Sequence, residues 1–343
     1  MKSLAVFSKG RLLPISRLPE LFTRPASASG PFGVMVRKEV ADHIRSWRFI
    51  VLLSLIGLTF LGSMYVSLSN IRAVVANPDD TDRFYLYLKF LTITDGTLPP
   101  FHVFMNFLGP LLGISLGFDA INAEQNNGTL TRLMAQPVYR DNLLLAKFAS
   151  ALLVVSYLFA ALALLLVGAG MLTTGVGIEP EEILRIISFV GLNIVYVGFW
   201  LSLSILLSVR FRQTSTSALT AIGIWLFFTV FYSIGVNLAV KAFLPDPAYV
   251  LPHDAIRYNN LVLNLLRLAP GQLYTDATTT LLMPSVRSLG PLTIEQMAGA
   301  IPTPLPFRES LLIVWPQVSG LLAATVVCFA LAYASFMRRE IRG

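Results

Sequence analysis

Six stretches, at roughly 49 to 68, 102 to 120, 147 to 172, 186 to 209, 216 to 240 and 311 to 336, are each long and apolar enough to cross a bilayer, and no other feature constrains the chain as much. A helix needs about 20 apolar residues to cross the hydrocarbon core, and there it must satisfy its own backbone. Of the 343 residues, 55% are hydrophobic and only 13% charged, which excludes an ordinary water-soluble domain. The expected fold is an all-α membrane protein with six transmembrane helices.

An even number of spans puts both termini on one side, and the distribution of basic residues says which. Seventeen of the 26 Lys and Arg fall on the side of the termini, in residues 1–48, 119–147, 210–212 and 338–342. The termini are therefore expected in the cytoplasm. The net charge of +7 then reflects orientation in the membrane. The basic residues form no single patch, so nucleic-acid binding is not indicated. Residues 1–32 hold no apolar run fit for a signal-peptide core and read as a cytoplasmic tail. Residues 33–343 form the membrane domain. The single cysteine, Cys328, rules out an intrachain disulfide.

Val36, Val40, Ile44 and Trp47 recur at helical spacing, with Arg37, Lys38, Asp42, His43, Arg45 and Arg48 on the other faces. That pattern describes an amphipathic helix lying on the membrane lipid. Residues 69–100, with Asp79, Asp80, Asp82 and Asp95, read as a solvated outer loop, since they lack the spacing of a calcium loop. Gly109, Pro110, Gly113 and Gly117 give the second span a face for close helix approach. Residues 241–310 are too long for a simple connection. They are expected to be helical and extracytoplasmic, with one helix over 261–268 ended by Pro270-Gly271 and another over 275–282.

A patterned polar insert follows the second span, from Glu124 to Arg140, with Lys147 seven residues on. Gly128 permits a sharp turn, Thr129 is placed to cap a short helix bearing Leu130, Leu133 and Met134 on one face, and Pro137 stops that helix. Asp141 offers an N-cap to the next span. The order Glu124, Gly128, Thr129, Leu130, Leu133, Pro137, Arg140, Lys147 resembles the membrane subunits of ABC transporters in the type-2, exporter-like permease class. An ordinary cytoplasmic loop shaped by turn residues is the alternative reading.

The resemblance implies that Glu124, Gly128, Thr129, Leu130, Leu133, Pro137 and Arg140 contact a separate ATPase, and Gln125 departs from the basic residue many relatives carry. The order Arg37-Lys38-Glu39 followed by Arg45 resembles the interfacial helix that borders this contact; a juxtamembrane anchor is the compatible alternative. Pro270-Gly271-Gln272-Leu273-Tyr274 resembles a segment that dips toward the membrane between spans five and six, with a folded outer cap as the other reading. Two permease subunits and two ATPases would assemble, so a homodimer or a pairing with a related permease is implied, in a cell inner membrane. ATP and Mg would bind to the partner subunits, and no cofactor to this chain.

The residues themselves agree on the division of labour. No phosphate-cradling Gly-x-x-x-x-Gly-Lys-Ser/Thr occurs. The apolar stretches carry no charge at their centres, which disfavours an ion-coupled carrier. The three histidines, His43, His102 and His253, are not placed to act together, and no nucleophile elbow is present, so an enzyme is not expected. A substrate path would be lined from the second and fifth spans, with Asn106, Gly113 and Asn237 as candidates. Export driven by separate ATPases is the leading expectation. The alternative is a non-transporting component that transmits ATPase-driven force to an extracytoplasmic protein.

Overall fold

A computed structural model describes residues 30–75, 85–94, 96, 98–130, 139–243, 252–285 and 304–338, together with two short strands in the N-terminal tail. Those strands, Val6–Ser8 and Arg11–Leu13, pair as a small antiparallel hairpin. Every other regular element described is helical, and six helical spans are long and apolar enough to cross a membrane.

Helix α1, Pro31–Arg45, opens with proline in its first turn and ends at Ser46, whose extended backbone passes the chain straight into α2, Trp47–Val75. Proline at that position gives up an N–H that had no helical partner. The second span is α4, Phe101–Gly117, followed after a turn by the short α5, Asn122–Asn126. The third is α6, Arg140–Thr174, and the fourth is α7, Pro180–Arg210. The fifth joins α8, Thr214–Leu226, to α9, Tyr232–Phe243, through a π-helical turn at Phe227–Phe231. The sixth is α12, Phe307–Arg338.

All spans but the second, whose helix stops at Gly117, run past the apolar stretches at both ends, because a helix is limited by backbone hydrogen bonding and capping and not by hydropathy. Glu179 and Glu182 form a capping box that starts α7, so Glu181, Glu182 and Arg185 belong to the helix although they precede the apolar stretch that begins near 186. Lys147 is likewise two turns inside α6. Lys147, Glu182 and Arg185 are all buried. Each lies near a helix end, so the centres of the spans remain uncharged. Asp141 does not cap α6; it sits in the first turn after Arg140 and accepts from the Asn142 N–H at 2.9 Å.

Two further corrections concern the end opposite the termini. Part of the segment expected to be a solvated loop is a buried helix, α3, Leu86–Thr92, with Tyr87 fully enclosed. Asp79, Asp80, Asp82 and Asp95 lie outside the described residues. Between spans five and six stand α10, Pro252–Leu266, and α11, Pro270–Leu282. Pro270 and Gly271 do not separate two helices; they form the first turn of α11.

Helix α7 is the hub of the bundle, packed on α12, α4, α6 and α11. Its crossing with α4 needs a glycine: a Cβ on Gly113 would fall 2.6 Å from the Val197 carbonyl oxygen. Helix α11 lodges among α12, α7 and α4. Tyr274 donates to Asn193 Oδ1 at 2.9 Å, Tyr196 donates to Asn106 Oδ1 at 3.0 Å, and the two tyrosine rings stack at 4.3 Å. Buried hydroxyl and amide groups there satisfy one another, which the absence of water makes necessary. The fifth span is the outlier, since only 11% of its apolar window is buried.

Candidate functional site

At the end of the bundle that carries α1 and α5, three charged groups from three separate segments meet. Lys147 Nζ lies 2.9 Å from Glu39 Oε2 and 2.7 Å from Glu124 Oε1. The three side chains expose only 8%, 10% and 14% of their surface, so this is a desolvated triad and not a surface pair. A buried ammonium is costly unless it is paired and hydrogen-bonded, and here two carboxylates supply the pairing. Lys38 adds a contact to Glu39 Oε1 at 3.1 Å and to Asp42 at 3.4 Å.

Burial by itself would raise the Glu39 carboxyl, but the charges and hydrogen bonds of Lys147 and Lys38 outweigh it and hold the group below the usual range. The pKa of His43, one turn further along α1, is lowered as well, but here burial is the cause, acting against the attraction of Glu39. Its Nε2 is buried without a hydrogen-bond partner.

The triad borders a cleft of about 510 Å³ whose wall includes His43, Arg48, Asp119, Glu124 and Thr129. Arg48 closes one side, donating to Asp119 Oδ2 at 2.6 Å while its guanidinium lies 4.8 Å from the centre of the Phe118 ring. Helix α5 is also pinned to α7. The N–H groups of Ile121 and Asn122 donate to Ser208 Oγ at 2.9 and 3.2 Å, and Asn126 donates to the Arg212 carbonyl at 3.0 Å. Helices α1, α5, α6 and α7 are therefore held as one block at this end.

The turn after α5 leaves Asn126 to Thr129 exposed and returns Leu130 to the core. Gly128 has φ +66, the left-handed backbone its sequence position anticipates. The Thr129 hydroxyl donates to the Glu124 carbonyl at 3.1 Å, closing the end of α5, while the body of the short helix it is expected to cap lies outside the described residues. Arg140 begins α6, while Leu133 and Pro137 lie outside the described residues. On α1, Glu39 turns inward and Arg37, Lys38 and Arg45 are exposed.

Of the three candidate path residues, Asn106 is hydrogen-bonded to Tyr196 and Thr275, Gly113 sits in the α4–α7 crossing, and Asn237 is exposed on the fifth span. Asn106 and Gly113 both face α7 from α4. Lys147 stands in the sequence motif, but its partner Glu39 is 108 residues away, and only the tertiary packing identifies it. The available signal was a lone lysine two turns inside a long apolar helix. Among the described residues no three His, Cys, Asp or Glu side chains converge as metal ligands. The arrangement is an exposed turn backed by a buried ionic clamp.

Residues 34–341 match the family described as ABC-2 family transporter protein. Two similar proteins each bear the name probable ABC transporter permease protein NosY. The one from Stutzerimonas stutzeri is 26% identical over 311 residues, covering 89% of this chain and 97% of its own length. The one from Pseudomonas aeruginosa is 28% identical over 206 residues, covering 58% of this chain and 67% of its own.

Proposed function

Since the chain belongs to the ABC-2 family of transporter proteins and is a membrane permease component of an ABC transporter, we propose that it exports a substrate under the power of separate ATPase subunits, which dock on the turn after α5 and on the exposed face of α1. The observation that carries this reading is the Glu39–Lys147–Glu124 triad. A push delivered to an exposed turn does work on the membrane domain only if the turn is rigidly backed. Lys147 and Ser208 back it on the third and fourth spans.

The end bearing the termini is then cytoplasmic, in a cell inner membrane, and ATP with Mg binds to the partner subunits. A second copy of the chain covers the fifth span, whose apolar face and exposed Asn237 otherwise meet only lipid, where an unpaired carboxamide is disfavoured. Helix α11 closes the outer mouth.

One observation favours the second reading, a non-transporting component that passes force to an extracytoplasmic protein. Asn106 and Gly113 are both consumed by packing within the chain. Co-expression with ATPases of the same genome, purification through a tag on this chain and measurement of co-purified ATPase tests the common core. Stoichiometric capture by wild type, abolished by Glu124→Ala with Gly128→Pro, is expected. A folded, dimeric chain that captures no ATPase would overturn it. Accumulation of a labelled lipid, drug or peptide in inside-out vesicles then separates export from force transmission.

A further inference from the structure

Arg185, near the outer end of α7, has no exposed surface. Its Nε and one Nη2 hydrogen donate to Glu181 Oε1 at 3.2 and 2.8 Å. The other Nη2 hydrogen reaches the Leu305 carbonyl at 2.6 Å, and Nη1 donates to the Leu281 carbonyl at 3.0 Å and Ser310 Oγ at 3.2 Å. A guanidinium carries five N–H donors, so every one is used. The rings of Tyr85 and Phe307 lie 5.5 and 5.9 Å away and complete the enclosure.

Apart from Glu181 on α7 itself, the acceptors come from the last turn of α11, the connection before α12 and the first turn of α12. Those same segments are joined by the Leu305 N–H donating to the Pro284 carbonyl at 2.9 Å. One side chain of α7 thus fastens the end of α11, the connection before α12 and the start of α12. Lower on the same helix, Asn193 and Tyr196 fasten the other end of α11 through Tyr274 and Asn106. At the inner end Ser208 and the Arg212 carbonyl hold α5. Helix α7 runs unbroken for 31 residues, about 46 Å at 1.5 Å per residue. Spans two and six contain Pro110 and Pro316, and span five contains the π turn. Those features mark where helices bend.

We propose that α7 is the rod that carries an ATPase-driven displacement of α5 across the membrane, and that Arg185 is the positioning residue that makes the outer cap move with it. The inference rests on the ATPase-driven reading above.

The test uses the full chain co-purified with its ATPase and reconstituted, in a Cys328→Ser background, with pairs of spin labels at the exposed positions Ser285 in the cap, Ile183 on α7 and Tyr65 on α2. Distances are measured without nucleotide and with ATP and vanadate. The Ser285–Ile183 distance should stay constant while Ser285–Tyr65 shifts. In Arg185→Gln, with ATPase capture intact, Ser285–Ile183 should change on trapping and the Ser285–Tyr65 shift should fall at least twofold. Should Arg185→Gln fail to fold, Ser208→Ala tests the other end, with the same twofold loss of the outer shift expected. A cap that moves relative to α7 in wild type, no nucleotide-dependent distance at all despite ATPase capture, or a full outer shift in a folded variant overturns the rod. Failure of wild type to capture ATPase instead removes the reading on which it rests.

Discussion

Lys147 and Glu39, 108 residues apart in sequence, meet at 2.9 Å in a setting where each exposes a tenth or less of its side chain. With Glu124 at 2.7 Å on the other side, the lysine is the only link described that joins the interfacial helix, the turn after the second span and the third span through one atom. Its energetic weight lies in what is left behind when it is removed.

Lys147→Met should therefore cost about 3 to 5 kcal/mol, the range for removing one partner of a buried ion pair, because two carboxylates would share a dry site. The double change Lys147→Met with Glu124→Gln should recover part of that loss. Thermal unfolding of the detergent-solubilised protein measures both. Equal stability of wild type and the single variant would show that the triad is solvated.

Acid should loosen this end of the bundle in two stages. Burial holds His43 below its ordinary value of 6.5, in sight of Glu39, Lys147, Asp119 and Asp42. Its stabilising contribution is whole above pH 6.5 and fades as pH falls toward the lowered value, because the unfolded ring takes up its proton first. Glu39, held below its ordinary 4.5 by Lys147 and Lys38 against the opposing effect of burial, contributes fully above about pH 4.5 and loses that contribution as pH falls through its lowered value. Melting temperature against pH should show both slopes. His43→Asn should flatten the upper one and Glu39→Gln the lower one.

Gly113→Val should destabilise by about 1 to 3 kcal/mol or more, the cost of overpacking, since even a Cβ there lies 2.6 Å from the Val197 carbonyl oxygen and 2.9 Å from the Leu201 nitrogen. Gly57→Ala, with nothing within 4 Å of the new methyl, should cost no stability. Monodisperse yield and melting temperature compare the two. A stable Gly113→Val would mean that the α4–α7 crossing opens in the working protein.

At Gly128 the backbone and not the space decides. The added Cβ would meet nothing within 4 Å, but φ is +66. Gly128→Ala should weaken ATPase capture through about 1 to 2 kcal/mol of left-handed strain, and Gly128→Asn should be better tolerated. If alanine and asparagine behave alike in a capture titration, the turn is remade on docking.

Much of this architecture could be read from the chain alone. Six spans, the amphipathic α1, the left-handed Gly128 and a helical segment between spans five and six all follow from hydropathy, periodicity and turn chemistry. Helix α3 was not legible, because Leu86-Tyr87-Leu88-Lys89-Phe90-Leu91-Thr92 is too short to span and sits beside a run of aspartates that signals solvent. Helix α7 starts at Pro180, well before the apolar stretch that begins near 186, because hydropathy marks where a helix is apolar and not where its hydrogen bonds end.

The division has a physical basis. Transfer from water to lipid is a property of each segment, as are dihedral preference and the excess of cationic residues on one side, so spans, expected orientation and turns were determined by the sequence by itself. Which acceptors complete Arg185, which carboxylates neutralise Lys147 and whether Gly113 faces a cavity or a neighbouring backbone depend on which distant segments arrive at the same place. A buried charge requires a partner but does not name it, and only the tertiary packing made that choice, of α1 against α6 for Lys147 and of α7 against α4, α11 and α12 for Arg185 and Gly113.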